Sequence, residues 1–222
     1  MRIEVQQLSL RYSEKSPIFE DLSFQVQQGE FVQISGQSGS GKSSLLRLLN
    51  RLQTPTSGRI YLDGKPIDHF EVPVLRRQVS YLQQTPIIVP GSVTDNLLLS
   101  YQFRTSRVQS PPTTDQLKQL LSDFLLDQVS LSDDAETLSV GQKQRLALIR
   151  ILLMKPKVLL CDEPTSALDQ ASKAVVEDQI QHLNQEQQVT VFLVTHTDFQ
   201  PTGSIQSRRF HLQNAILTEI NG

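Results

Sequence analysis

The octapeptide GQSGSGKS at residues 36–43 restricts the possible folds of this chain more than any other segment. It lies between a short apolar segment, residues 31–34, and a segment with helical spacing, residues 42–52. Its glycines allow backbone N–H groups to turn toward one point, and the helix that follows adds the positive end of its dipole. A Gly/Ser-rich turn would also have this composition, but a strand before it and a helix after it indicate a phosphate-binding loop.

Such a loop predicts a role for each of its polar residues. Lys42 would reach the β- and γ-phosphates of a nucleotide, and the Ser43 hydroxyl would ligate Mg²⁺. The remaining residues would surround the phosphates with their backbone N–H groups. The predicted nucleotide-binding residues of this segment are Gly36, Gln37, Ser38, Gly39, Ser40, Gly41, Lys42, Ser43 and Ser44.

A second segment, KVLLCDEPTSALD at residues 157–169, supplies carboxylates. Its apolar run, residues 157–161, predicts a buried strand, within which Cys161 is packing. In a parallel sheet the carboxyl ends of the strands face the ligand, so Asp162 would hold Mg²⁺ directly or through water. Glu163 would polarise the attacking water. An ordinary acidic turn is the alternative for this pair.

Strand-like and helix-like segments alternate along the chain, which predicts a parallel sheet in an α/β fold. Residues 85–138 differ, since they combine a Pro/Gly-interrupted segment, two helical segments and a polar loop. We therefore predict a single domain with a core, residues 1–84 and 139–222, and an inserted helical subdomain, residues 85–138. The predicted strands are residues 3–10, 22–27, 31–34, 59–62, 79–82, 157–161 and 189–195, and the predicted helices are 42–52, 93–99, 115–126, 139–154 and 169–184.

Composition narrows the classes of partner. The 222 residues carry a net charge of -2, so no basic excess points to nucleic acid. No apolar run approaches the roughly 20 residues that cross a bilayer, and the alternating N-terminus is unlike a signal peptide. The single cysteine fits a reducing compartment. We expect a cytoplasmic protein that reaches a membrane only through a partner.

Residues 137–169, TLSVGQKQRLALIRILLMKPKVLLCDEPTSALD, resemble the signature helix, Walker B strand and D-loop of ATP-binding cassette (ABC) ATPases. The usual LSGGQ signature reads LSVGQ here, at residues 138–142. The resemblance runs from Tyr12 to His196 and implies a P-loop NTPase fold. That fold has a RecA-like core, an antiparallel β-subdomain and an inserted α-helical subdomain, in agreement with the independent reading of residues 85–138.

The resemblance also implies that two chains pair head to tail when ATP is bound. Ser139, Gly141 and Gln142 of one chain would then contact the γ-phosphate held by the other, with a helix N-terminus directed at the anion. Val140 stands where the family has glycine. If this position requires a positive φ, a β-branched residue there costs roughly 1–2 kcal/mol.

Further roles follow from the resemblance one residue at a time. Tyr12 matches the aromatic residue that stacks on adenine, although a strand tyrosine packed on the core is the alternative. Gln84 matches the glutamine near Mg²⁺ and the attacking water, with Gln83 as a competing candidate. His196 matches the histidine that contacts the γ-phosphate, and Asp169 matches the D-loop aspartate, although helix capping alone would explain it. The predicted catalytic residues are Glu163, His196 and Gln84, and the predicted metal ligands are Ser43, Gln84 and Asp162.

The implied activity is ATP hydrolysis that energises a membrane-spanning permease subunit from the cytoplasmic face of the inner (plasma) membrane. Residues 87–89 lie between prolines and are a candidate partner contact, unless they are buried in the helical subdomain. Residues 76–86, RRQVSYLQQTP, resemble a small bacterial subfamily described as iron exporters, with plant relatives linked to aluminium tolerance. A soluble ABC ATPase of an assembly scaffold, such as that for iron–sulfur clusters, is the alternative function.

Overall fold

The computed structural model of the chain describes residues 1–12, 16–102, 110–195, 199–202, 205 and 207–220. It forms two compact units. The first comprises Met1–Tyr81, Pro156–Glu163 and Ile180–Gly222, and the second comprises Leu82–Lys155 and Pro164–Gln179. The second unit contains the predicted helical subdomain and also takes in residues 139–155 and 164–179, which the sequence boundaries assign to the core.

The elements follow the alternation seen in the sequence. The strands are β1 (Ile3–Leu10), β2 (Phe19–Val26), β3 (Phe31–Ser35), β4 (Ser57–Leu62), β5 (Lys65–Pro66), β6 (Val79–Leu82), β7 (Val158–Asp162), β8 (Thr190–Val194), β9 (Ser207–Gln213) and β10 (Ile216–Ile220). The α-helices are α1 (Lys42–Leu49), α2 (Val72–Gln78), α3 (Val93–Leu98), α4 (Thr114–Asp123), α5 (Val140–Leu152) and α6 (Gln170–Gln187).

The described strands form two sheets. The smaller sheet has the order β2-β1-β4-β5 and is antiparallel, whereas the larger has the order β10-β9-β3-β8-β7-β6. Strands β9, β3, β8 and β7 run parallel, and every residue of β7 and β8 is buried. Such continuous apolar strands are typical of a sheet covered on both faces.

The register of the parallel strands determines where polar groups collect. Ile34 of β3 pairs with Val194 of β8, and Val194 pairs with Asp162 of β7. The carboxyl ends of these three strands therefore lie side by side. Because ligands bind at this end of parallel strands, the loop after β3 and the acidic residues at the end of β7 come to one edge of the sheet.

The second unit is built from helices with well-defined N-termini. Capping boxes begin α3, α4 and α5, each with a Ser or Thr hydroxyl that accepts from the backbone three residues on. Arg145 of α5 is buried and donates to the carbonyl oxygens of Phe124 and Leu125 at the end of α4. Burial lowers the pKa of Arg145, and the nearby Asp169 carboxylate opposes that shift. Helix α5 packs on both α3 and α4, and for this reason it belongs to the second compact unit.

Within the part of the chain that the structure describes, every helix is too short or too polar to cross a lipid bilayer.

Candidate nucleotide-binding site

The loop between β3 and α1 has a conformation that only glycine fits at two of its positions. Gly36 has φ +147°, and a Cβ there would lie 2.3 Å from the Leu212 carbonyl oxygen. Gly41 has φ +104°, and its Cβ would lie 2.4 Å from Cγ2 of Ile18. Real Cβ atoms do not approach other atoms so closely, so these glycines allow the loop to pack closely on its surroundings.

Donor groups of this loop are free to bind an anion. Gly41 is the N-cap of α1 and provides no side-chain hydrogen bond to the helix, so the first N–H groups of α1 lack an intrahelical acceptor. The Oγ atom of Ser40 is buried and has no hydrogen-bond partner among the described residues. A buried hydroxyl without a partner is unusual in a folded protein, and phosphate oxygens would satisfy both groups.

The side chain of Lys42, the first residue of α1, folds back onto the phosphate-binding loop. Its Nζ donates to the carbonyl oxygens of Gly36 and Gln37, both at 2.8 Å. An ammonium group has three donors, so one remains for a ligand. Burial lowers the pKa of Lys42, while the carboxylates of Glu163 and Asp162 act in the opposite direction.

Asp162, the last residue of β7, is 3 % exposed, and each of its carboxylate oxygens accepts one hydrogen bond. Ser43 Oγ donates to Oδ1 at 3.0 Å, and the Tyr81 hydroxyl donates to Oδ2 at 2.7 Å. Burial and this bond to Asp162 raise the pKa of Tyr81. Two residues predicted as metal ligands, Ser43 and Asp162, are therefore in direct contact.

This pair fits Mg²⁺ in the presence of a nucleotide. Among the described residues, no group of three or more His, Cys, Asp and Glu side chains is arranged to hold a metal by itself. Mg²⁺ requires hard oxygen ligands and is usually held by one or two protein groups together with phosphate oxygens and water. A serine hydroxyl beside a carboxylate, next to a phosphate-binding loop, is such a set.

Glu163 follows Asp162 with a left-handed backbone, φ +49°, and its N–H donates to the Val194 carbonyl oxygen at 2.9 Å. For a residue with a Cβ this conformation costs roughly 1–2 kcal/mol. Such outliers are concentrated at functional sites, where the surrounding structure maintains them. The bond to the end of β8 fixes the backbone from which the Glu163 side chain projects.

Tyr12 is 44 % exposed and does not belong to the buried core, so the packed-tyrosine alternative is wrong. Its hydroxyl lies 3.3 Å from Ser44 Oγ and accepts a hydrogen bond from Nε2 of Gln53. The hydroxyl therefore anchors this partly exposed tyrosine beside the first turn of α1.

The signature segment forms the N-terminus of α5. Ser139 is the N-cap: its Oγ accepts from the Gln142 N–H at 3.2 Å, and Gln142 Oε1 accepts from the Ser139 N–H at 2.9 Å. Val140 is the first helical residue and is 57 % exposed, and it is absent from the residues with positive φ. The strain expected for a valine here therefore does not arise. Gly141 is restricted by space instead, since an added Cβ would lie 3.3 Å from Leu168 Cδ2.

The other residues to which the sequence assigned a role are the two glutamines after β6, Asp169 and His196. The Gln83 carbonyl oxygen accepts from Nε2 of the buried Gln144, whereas Gln84 is exposed. Asp169 caps α6 by accepting from the N–H and hydroxyl of Ser172, at 3.0 and 2.7 Å, as the capping interpretation predicts. His196 lies outside the described residues.

Sequence reasoning did not identify Tyr81 as part of this site. Its position in β6 predicts only that it alternates with the buried residues Ser80 and Leu82. The contact with Asp162 depends on β6 lying beside β7 in the sheet, which no local pattern in the sequence indicates. The first unit, with its phosphate-binding loop after β3 and its acidic pair at the end of β7, has the site of a P-loop nucleoside triphosphatase.

Comparison with known proteins identifies the family. The family model described as "ABC transporter" matches residues 19–166. The chain is 39% identical over 179 residues to the probable iron export ATP-binding protein FetA of Escherichia coli (strain K12), which covers 81% of this chain and 78% of that protein. It is 38% identical over 196 residues to ABC transporter I family member 17 of Arabidopsis thaliana, covering 88% and 73% of the two chains. The chain therefore belongs to the ABC transporter ATP-binding family.

The fold agrees with that assignment. The solved structure described as a dimeric, post-hydrolysis state of the ATP-binding cassette MJ0796 bound to ADP and Pi matches with a TM-score of 0.80 and 23% identity, over 99% of both chains. The predicted fold class is thus confirmed. Family membership also confirms that the chain is an ATPase, with ATP and Mg²⁺ as cofactors, of the kind that provides the nucleotide-binding subunit of transporters.

Proposed function

We propose that this chain energises the export of a metal ion, iron in the first instance, by a separate membrane-spanning permease at the cytoplasmic face of the inner membrane. The contact between Ser43 and Asp162 beside the phosphate-binding loop carries the ATPase part of this proposal. Similarity to an iron export ATP-binding protein, at 39% identity, supports the transport part.

The residues of the first unit would act on ATP as follows. The loop at residues 36–44 binds the phosphates through its N–H groups, and Lys42 uses its remaining donor on them. Ser43 and Asp162 hold Mg²⁺, which neutralises charge on the phosphate oxygens when it is bound. Glu163 accepts the proton of the attacking water, and Tyr12 stacks on the adenine.

Three residues complete the proposed site by resemblance. Gln84 would contact Mg²⁺ and the attacking water, and His196 would contact the γ-phosphate. Gln142 keeps Ser139 at the N-terminus of α5 through the capping box, where the N–H groups of the first turn are available to an anion.

The active form would be an ATP-dependent homodimer. Ser139 and Val140 are exposed, as the N-cap and the first residue of a 13-residue helix whose positive end would bind the γ-phosphate of a second chain. A two-fold axis would complete both sites at once. The MJ0796 cassette, which shares the fold, is dimeric in its solved structure.

We expect Glu163→Gln to sediment as a monomer without nucleotide and as a dimer with ATP, because the variant binds ATP without hydrolysing it. Adding Val140→Gly should leave this transition unchanged, since Val140 already has a helical backbone. Analytical ultracentrifugation at saturating ATP measures both. A Glu163→Gln chain that stays monomeric contradicts the proposal for the isolated chain, and a dimer gained only with Val140→Gly would show that the valine weakens the signature.

The segment at residues 87–89 has the properties of a partner contact. Its backbone is held by polar side chains: Asn96 bonds both the N–H and the carbonyl oxygen of Val89, at 2.9 Å each, and Arg150 donates to the Ile87 carbonyl oxygen at 2.7 Å. The Ile87 side chain nevertheless remains 55 % exposed. A fixed backbone that presents an apolar side chain to solvent suits docking of a permease.

We expect Ile87→Asp to abolish co-purification with the membrane-spanning permease that this chain is proposed to energise, since burying a charge at an apolar contact is unfavourable. Ile216→Asp is the matched control: Ile216 is 59 % exposed but lies on β10 of the first unit. Both variants should retain ATP binding. Equal co-purification of the two variants would contradict docking through this segment, and a wild-type ATPase that binds no membrane protein would favour the assembly-scaffold alternative.

The transported ion is tested separately. Inside-out vesicles that contain both proteins should accumulate radioactive iron when ATP is added, and vesicles with the Lys42→Ala chain should not. Iron accumulation that does not depend on ATP, or transport of another ion alone, would exclude iron as the substrate and leave the ATPase assignment intact.

A further inference from the structure

Tyr81 makes a contact with the proposed magnesium carboxylate that the functional roles above do not use. Its hydroxyl donates to Oδ2 of Asp162 at 2.7 Å, while the other oxygen, Oδ1, accepts from Ser43 at 3.0 Å. The two donors come from different elements, β6 and α1, and meet on the last residue of β7. The carboxylate of Asp162 is thus held at both oxygens.

The physical consequence concerns the orientation of the carboxylate. A carboxylate can rotate about its Cβ–Cγ bond unless both oxygens are held. A bond at Oδ2 therefore decides where Oδ1 points, and Oδ1 is the atom in contact with the proposed ligand Ser43. Outer groups that orient ligating side chains commonly contribute about 10–100-fold to metal affinity or activity.

We propose that Tyr81 is a positioning residue, which orients Asp162 so that this carboxylate and Ser43 bind Mg²⁺ together. The inference rests on the assignment of Ser43 and Asp162 as magnesium ligands. It adds a group outside the predicted site residues, recruited from the strand that precedes the Gln83 and Gln84 pair.

The experiment replaces only the hydroxyl, with Tyr81→Phe. Calorimetry with a non-hydrolysable ATP analogue measures two quantities: affinity in EDTA, and the Mg²⁺ concentration that gives half of the magnesium-dependent gain in affinity. We expect the second quantity to rise about 10-fold and the first to change less than about 2-fold. An unchanged magnesium dependence overturns the proposal. A loss of affinity in EDTA as large as the change in magnesium dependence also overturns it, because that result would indicate a general structural defect.

Two further variants separate the possible failures. Tyr61→Phe removes a hydroxyl from a partly buried tyrosine of β4, in the other sheet of the same unit, and should leave the magnesium dependence unchanged. Asp162→Asn should itself shift that dependence; if it does not, the assignment of the ligands fails rather than the role of Tyr81.

A double variant tests whether Tyr81 acts through Asp162. If it does, adding Tyr81→Phe to Asp162→Asn should produce almost no further change in the magnesium dependence, because the oriented group is already altered. Additive effects of the two substitutions would contradict the proposal. The melting temperature of each chain without nucleotide shows whether the variants are folded at the temperature of the measurement.

Discussion

Replacing Glu163 with glutamine should slow ATP hydrolysis by about 10²–10⁴-fold while ATP binding is retained, since a positioned general base contributes this much. The substitution keeps the size of the side chain and removes only its charge and basicity. It also leaves the backbone as it is: the left-handed φ of +49° and the N–H bond to the Val194 carbonyl oxygen do not involve the side chain. Any loss of rate therefore reports on the carboxylate itself.

The rate is measured as phosphate release at saturating Mg²⁺ and ATP, and binding is measured by calorimetry. Glu177→Gln, in helix α6, is the matched control, because it makes the same chemical change in a residue whose carboxylate faces Lys173 along the helix. It should hydrolyse ATP at the wild-type rate. If Glu163→Gln does so as well, Glu163 is not the base.

The parts of the site that could be predicted from the sequence are those that depend on short segments. A strand, a glycine-rich loop and a helix follow one another within residues 31–52, so their chemistry can be read without knowledge of the tertiary fold. The same holds for Asp162 and Glu163, which directly follow the apolar run at residues 158–161. Strands β1 and β6 were predicted with the bounds that the structure has, although the alternation of buried and exposed residues is interrupted in both.

Elements with weak or interrupted patterns were not predicted. Strand β9 reads SRRFHLQ, and only two of its seven residues are buried, so it lacks a clear apolar face. Strand β10 lies at the edge of the larger sheet and is mostly exposed. Helix α2 has only seven residues and a proline in its first turn, which reads as a turn by sequence.

Contacts between distant segments were also beyond prediction. The bond between Tyr81 and Asp162 joins residues 81 apart in sequence, and it exists only because of the strand order. Whether Val140 has a positive φ also could not be predicted from the sequence, since its φ depends on where α5 begins. Ser139, as N-cap, sets that start and gives Val140 a helical backbone.

Replacing Lys42 with alanine should abolish measurable ATP binding and remove the stabilisation that ATP gives to the folded chain. Lys42 is the cation next to the phosphates in the proposed site, and its Nζ also donates to Gly36 and Gln37. The substitution thus removes the charge that the phosphates require and two bonds that keep the loop closed. Hydrogen bonds from charged groups contribute about 1.5–3 kcal/mol each, so the loop itself should become less ordered.

Thermal unfolding with and without ATP separates these two effects. ATP at about 100 times its Kd stabilises a binding-competent chain by about 2.7 kcal/mol, which corresponds to roughly 5–10 °C for a chain of this size. We expect this rise for the wild type and for Lys65→Ala, a matched loss of charge on β5 in the other sheet. Lys42→Ala should melt somewhat lower without nucleotide and show no rise with ATP. A full ATP-induced rise in this variant would contradict the role of Lys42, since a chain that binds ATP without it must hold the phosphates by the backbone N–H groups of the loop alone.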